Sequence, residues 1–174
     1  MPATQALIFD VDGTLADTER EGHLPACNDA FAELGFSVRW TSDEFRGLLP
    51  MAGNAARMRR ALARLEGGLD PGEIDAAGGR LVELKRRFYV ERYVPRIPLR
   101  PGVAELVNEA VARGLRLAVV STSDESQIEA LLERRLGGVA GQFQPVLGQR
   151  VGLKTAPESP LYRRCVAELG ISPG

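Results

Sequence analysis

Asp10 and Asp12 stand two residues apart, directly after the apolar run Ala6-Leu7-Ile8-Phe9 and directly before Gly13. A short apolar run closed by a glycine turn suits a strand buried on both faces of a parallel sheet. In such sheets ligands bind beyond the carboxyl ends of the strands, where both carboxylates fall. Two carboxylates in different environments can divide a reaction between them. One can attack a phosphorus atom and carry it as an aspartyl phosphate. The other can donate a proton to the leaving oxygen and later take one from water. Mg²⁺, held by hard oxygen ligands, would offset the repulsion between carboxylate and phosphate. Gly13 lets the chain turn sharply there. An acidic turn after a strand is the other reading of the same residues. A calcium loop is excluded, because Leu15 holds the position that such a loop gives to Gly and no helix enters it.

Two later sites carry matching chemistry. Ser121 ends the apolar run Ala118-Val119-Val120 and is followed by Thr122 and Ser123. A hydroxyl with free N–H groups at a strand end and helix start makes an anion site. Helix capping by Ser123 or Asp124 competes for the same residues. Lys154, in Lys154-Thr155-Ala156-Pro157-Glu158, could neutralise a phosphate as a point charge. Taken alone, such a lysine is a solvated surface group. His23 is the only histidine, which excludes a metal site built from several imidazoles. Cys27 and Cys165 are too few for a disulfide scaffold and lie in helical apolar stripes, so buried free thiols in a reducing compartment are expected.

The elements that must position these residues follow from periodicity. Leu24, Cys27, Phe31 and Leu34 form one helical stripe, and Met58, Leu62 and Leu65 a second, ended by Gly67-Gly68. Ile74, Ala77, Leu81, Leu84 and Phe88 form a third, opened by Asp70-Pro71. No convincing strand interrupts this helical stretch. Pro95, Pro98 and Pro101 mark the return to alternation. A helix through Val103, Leu106, Val107, Ala110 and Val111 is followed by a strand over 115–120. Asp124 with Gln127 predicts a capping box that opens a helix through Ile128, Leu131 and Leu132. Phe143 to Leu147 reads as a strand that Pro145 confines to a sheet edge. Leu161, Cys165, Val166 and Leu169 make the last helix. Strands alternating with helices predict an α/β fold with a parallel sheet.

The 174 residues hold 22 Lys+Arg against 23 Asp+Glu, with 44% hydrophobic and 26% charged residues. That balance excludes a disordered chain and a basic nucleic-acid-binding stripe. The aromatic residues, Trp40 among them, form no base-stacking platform. No apolar stretch approaches the ~18 residues of a membrane span, and the first residues lack a signal-peptide pattern. A cytoplasmic location is expected.

The run Asp10-Val11-Asp12-Gly13-Thr14-Leu15 resembles the first motif of the haloacid-dehalogenase-like (HAD) phosphohydrolases. Ala16-Asp17-Thr18-Glu19 continues like the branch holding β-phosphoglucomutase and the CbbY-like sugar phosphatases. The resemblance implies a Rossmann-like α/β core over 1–15 and 96–174, with helices on both faces of a parallel sheet and an all-α cap inserted over 16–95. It implies Asp10 as nucleophile, Asp12 as acid/base, and Mg²⁺ on the Asp10 carboxylate and the Asp12 carbonyl. Ser121 and Lys154 match the second and third motifs and complete the catalytic set. Thr18, Glu19, Thr122 and Ser123 are implied substrate contacts. Lys85 matches a cap position that reaches the substrate, and Arg57 fits a cap loop more loosely, with a solvated helix face as the other reading of both. Asn54 and Ala55 differ from the family's loop, which implies a different sugar recognition. His23 is placed on a cap helix facing the hinge.

The implied activity is phosphate removal from a small phosphorylated metabolite, most plausibly a sugar phosphate, with no nucleic-acid or membrane partner. A phosphomutase and a non-catalytic binding module are the alternatives. Family members continue into a further strand that carries acidic metal ligands, so a truncated homologue is expected, with the C-terminal strands of the sheet missing. The Ala6–Phe9 strand then becomes an apolar edge prone to pair with a second copy. The chain is expected to protect that edge by dimerising, by swapping or through a loop; a dilute, stable, freely soluble monomer in gel filtration would contradict this.

Overall fold

In the computed structural model, residues 5–51, 53–65, 67–152, 154 and 160–171 are described. The chain divides into two compact units, one of Met1–Thr18 with Val94–Gly174 and one of Glu19–Tyr93. In chain order the strands are β1 (Ala6–Phe9), β2 (Arg116–Val120) and β3 (Phe143–Leu147). The helices are α1 (Leu24–Glu33), α2 (Ser42–Leu48), α3 (Asn54–Leu62), α4 (Pro71–Phe88), α5 (Val103–Ala112), α6 (Glu125–Leu136) and α7 (Pro160–Leu169).

The sheet is parallel throughout, in the order β1-β2-β3, as the alternating pattern predicts. Phe9 pairs with Val119 and Val120 with Leu147, which brings the carboxyl ends of all three strands together. Successive side chains of β2 point to opposite faces, and Leu117 through Val120 are all at most 1% exposed, so both faces are covered. On one face Ala118, Val120 and Leu147 pack with Leu161, Cys165 and Leu169 of α7. β3 lies at an edge, as Pro145 requires. Between Phe143 and Val146 it uses one more residue than β2 does between Leu117 and Val119. A proline that cannot donate to the ladder is accommodated by such a bulge. Among the described residues β1 pairs only with β2, and its four residues are half-buried.

The second unit is helical. α1 and α3 both pack on α4. Asp70 caps α4 by accepting from the Glu73 N–H, and Glu73 answers on the Asp70 N–H at 2.8 Å. The helix α2 has no counterpart in the periodicity reading, because its one buried apolar residue, Phe45, makes no stripe. Its signal is local instead: Thr41 and Glu44 form a capping box, and the hydrogen bonds from Thr41 lower the Glu44 pKa. α3 ends at Leu62, earlier than the Leu65 of the stripe. The predicted capping box at α6 differs in detail, since Asp124 accepts from the Ser126 N–H, one position earlier than the predicted Gln127.

A π-helical turn, Glu19–His23, leads into α1 and buries the lone histidine. Lys85 Nζ lies 2.9 Å from His23 Nδ1, and the imidazole stacks on Tyr89 with ring centroids 4.4 Å apart. Lys85 is 5% exposed, so the solvated helix face that was its other reading is not found.

Both cysteines are free and buried, as their stripes predict. Burial is the leading cause that pushes the Cys27 thiol up to about 12 and the Cys165 thiol up to about 11. A thiol whose folded pKa is raised contributes stability that is complete below its unfolded value and lost as pH climbs through the folded one. Unfolding stability is therefore expected to decline between pH 9 and 12, less steeply in Cys27→Ala than in the wild type. Parallel slopes in the two proteins, measured from denaturant midpoints, would refute the assignment. Native thiols should also resist alkylation at neutral pH.

Candidate active site

The parallel register sets the ends of β1 and β2 side by side, with Asp10 following β1 and Ser121 following β2. Asp10 Oδ1 accepts the Val11 N–H at 2.8 Å, and Lys154 Nζ stands 2.5 Å from Oδ2. The Asp10 side chain is 31% exposed and the Lys154 side chain 21%, so the pair is partly shielded yet open to a ligand. Val11 N–H and Lys154 thus hold the Asp10 carboxylate from both oxygens.

Asp12 is held differently. The Thr18 hydroxyl donates to its Oδ1 and the Ser123 hydroxyl to its Oδ2, each at 2.5 Å. The chain reaches Thr18 through a tight turn in which the Gly13 N–H donates to the Ala16 carbonyl at 2.9 Å, with Gly13 at φ 75°. That positive φ is why glycine stands there. Thr18 is fully buried, and its hydroxyl is engaged with Asp12. Lys154 thus lies on Asp10, and the hydroxyls of Thr18 and Ser123 lie on Asp12.

Ser121 is fully buried and its Oγ accepts the Ser123 N–H at 3.1 Å. The Ser121 N–H continues the ladder onto the Leu147 carbonyl at 3.0 Å. The free N–H groups expected here are thus in use at Ser121 and Ser123. Thr122 is exposed. Thr155, Ala156, Pro157 and Glu158 of the third motif lie outside the described residues.

The structure thus gathers Asp10, Asp12, Thr18, Ser121, Ser123 and Lys154 around one strand end. Glu19, Arg57 and Lys85 belong to the helical unit. Glu19 opens the π-helical turn and is half-buried. Arg57 is 7% exposed, so the solvated helix face is not found, and its guanidinium is held within the helical unit. Its Nε donates to the carbonyls of Leu48 at 3.1 Å and Met51 at 3.0 Å. Its Nη2 reaches the Leu49 carbonyl at 3.2 Å, and Nη1 the Asn54 Oδ1 at 3.0 Å. The guanidinium also lies over Phe45, 5.4 Å from the ring centroid. A cation on the last carbonyls of α2 is favourable with its dipole. Sequence reasoning missed a second layer, Asp124 and Glu125 bound to the turn after β3; its one sequence signal is two acids in succession at a helix start.

The donor set can be tested against a metal. Among the described residues no three His, Cys, Asp or Glu side chains converge. Two carboxylates beside a strand end are hard oxygen donors of the kind Mg²⁺ takes, the rest of its octahedron coming from water and phosphate oxygens. The residues present fit Mg²⁺ in that sense, and not a transition metal that prefers nitrogen or sulfur ligands.

A carboxylate with a lysine on it and a second carboxylate two residues on, at the strand ends of an α/β sheet, are groups with the chemistry that phosphoryl transfer needs. The model of the haloacid dehalogenase-like hydrolases matches residues 4–174, and the chain belongs to that family. Protein CbbY of Rhodobacter capsulatus is 38% identical over 172 residues, which cover 97% of this chain and 73% of that protein. Two crystal structures of CbbY from Rhodobacter sphaeroides are 34% identical and cover 98% of this chain and 75% of theirs. The complex with phosphate has a TM-score of 0.79, and a variant in complex with xylulose-(1,5)-bisphosphate one of 0.78. The chain is a HAD-like phosphohydrolase. No helix among the described residues is long and apolar enough to cross a membrane.

Removing the Arg57 fork takes a donor from the carbonyls of Leu48, Leu49 and Met51, of which Leu48 keeps the Met51 N–H. Arg57→Ala should lower unfolding stability by about 2 kcal/mol, read from the denaturant midpoint. Phosphate binding should stay unchanged. Weakened phosphate binding with unaltered stability would instead make Arg57 a ligand residue.

Proposed function

We propose that this chain hydrolyses a small phosphorylated metabolite of the sugar-phosphate class through an aspartyl phosphate on Asp10. The observation that carries the reading is the Lys154–Asp10 pair, 2.5 Å apart, with Asp12 two residues away on a separate set of partners. The similarity to a CbbY variant bound to a sugar bisphosphate supports the substrate class.

In the first step an Asp10 Oδ forms a bond to phosphorus while the bond from phosphorus to the sugar oxygen breaks. Asp12 gives that oxygen its proton. In the second step Asp12 takes a proton from water, whose oxygen attacks phosphorus and returns Asp10 as a carboxylate. Lys154 neutralises charge on Asp10 and on the incoming phosphate. Each Asp12 oxygen lies 2.5 Å from a hydroxyl, a group that can donate to a carboxylate when Asp12 is to take a proton from water. A hydroxyl can also accept, so Thr18 or Ser123 can turn its proton away when Asp12 carries one. Mg²⁺ would be held by the Asp10 carboxylate and the Asp12 carbonyl, and when bound it supplies charge compensation for the phosphate.

Phosphate release from sugar mono- and bisphosphates, with Mg²⁺ and with EDTA, tests the reading. Release should need Mg²⁺, and Asp10→Asn should lower it by at least about a thousandfold. Turnover that survives Asp10→Asn would remove Asp10 from the nucleophile's role.

A further inference from the structure

Behind Asp10 and Asp12 lies a layer of hydrogen bonds that touches no substrate position. Glu125 is the first residue of α6, and its side chain is 6% exposed. Its Oε1 accepts the N–H of Gly148 at 3.2 Å and of Arg150 at 3.1 Å, and Arg150 Nε donates to Oε2 at 2.8 Å. The Ser123 carbonyl accepts the Gln149 N–H at 3.0 Å, and Asp124 Oδ2 accepts from Gln149 Nε2 at 3.2 Å. Every backbone N–H from Gly148 to Arg150 therefore donates to Ser123 or Glu125. The two segments are pressed together: a Cβ on Gly148 would sit 2.4 Å from the Ser123 carbonyl oxygen and 2.9 Å from the Glu125 carboxyl carbon. The Val151 N–H then closes a turn on the Gly148 carbonyl at 3.1 Å, and Lys154 follows three residues on.

From this we infer that Glu125 is a positioning residue for Lys154: its buried carboxylate pins the Gly148–Arg150 turn against Ser123 and so sets the reach of Lys154 Nζ to Asp10. The physical case is one of satisfaction. A carboxylate this buried is costly unless its oxygens are occupied, and here three donors from the turn that precedes Lys154 occupy them. Charge-assisted bonds are short and directional, so they fix a backbone position rather than merely hold two surfaces together. Ser123 joins both layers, because the residue whose carbonyl receives Gln149 also places its hydroxyl on Asp12. The inference rests on the proposed function of Asp10 and Lys154 as a phosphate site.

The test is a double-mutant cycle read by titration of the full chain with inorganic phosphate in the presence of Mg²⁺. Lys154→Ala should weaken phosphate binding by roughly tenfold or more, and Glu125→Ala by a comparable factor. Glu125→Gln should recover most of that loss, since its amide oxygen still accepts the two backbone N–H groups. Added to Lys154→Ala, Glu125→Ala should cost nothing further, because its effect passes through Lys154. Val107→Ala, a cavity in α5, lowers stability by a separate route and should leave the affinity intact. Glu125→Ala and Glu125→Gln chains that bind like the wild type, or losses that multiply in the double variant, overturn the inference. Should Glu125→Ala not fold, Glu125→Met, which keeps the side-chain volume and removes the acceptors of the Gly148 and Arg150 N–H groups, gives the same cycle alone and on Lys154→Ala. A Lys154→Ala chain that binds phosphate as the wild type does removes the phosphate site itself, a failure recognisable without any Glu125 variant.

Discussion

Two carboxylates two residues apart at the end of a strand are a constraint on everything around them. The ladder to β2 fixes the backbone up to Phe9, and a positive-φ turn at Gly13 closes behind them, so they cannot relieve repulsion by moving apart. Compensation has to come to them. It comes from three distant places in the chain: Thr18 just past the turn, Ser123 after β2, and Lys154 after β3. The parallel sheet is what makes this possible. It brings the carboxyl end of each strand, and the loop that follows, to the same rim. Fold and chemistry meet in that geometry. Lys154 lies on Asp10, while the hydroxyls on Asp12 can turn to donate or to accept.

The sheet, its parallel sense and the edge position of β3 were legible in the sequence because each leaves a contiguous trace: an apolar run, an alternating rhythm, a proline inside a strand. The rim residues Asp10, Asp12, Ser121 and Lys154 were legible through their place at run ends and through a family pattern. What the sequence did not show is which partner each one takes. That Ser123 donates to Asp12 across 111 positions leaves no local trace. The π-helical turn at Glu19–His23 has no simple period, and α2 is too short and too polar for a stripe. The capping box at Thr41 was the available signal, and it lies outside any apolar pattern.

The helical unit shows why charge alone misleads. For Lys85 and Arg57 the sequence leaves a solvated helix face open as a reading, yet both are buried, at 5% and 7% exposure. Each has a partner that only accepts or that presents a π-face. Arg57 meets the carbonyls left over at the end of α2, and Lys85 meets an imidazole nitrogen, with the Tyr89 ring 4.8 Å from its ammonium. Long side chains with planar or pointed heads can satisfy helix ends and aromatic faces that the sequence does not place side by side. Burying such groups costs more than burying leucines unless every donor finds its acceptor. Their surroundings are therefore tightly specified, and their single substitutions more disruptive than a surface reading suggests.

The irregularity of β3 is placed where the site can tolerate it. Its extra residue falls between Phe143 and Val146, at the amino end of the strand, beside the proline that interrupts the ladder. By Val146 and Leu147 the pairing with Val119 and Val120 is restored, and the Ser121 N–H extends it by one more bond to Leu147. A one-residue slip persisting to the carboxyl end would reverse which face each side chain meets. It would also move the Gly148–Arg150 turn by a full residue relative to Ser123 and Glu125. A bulge confined to the far end bends the edge strand without reaching the rim, so the register that aligns Asp10, Ser121 and Lys154 is set by the half of the sheet nearest them.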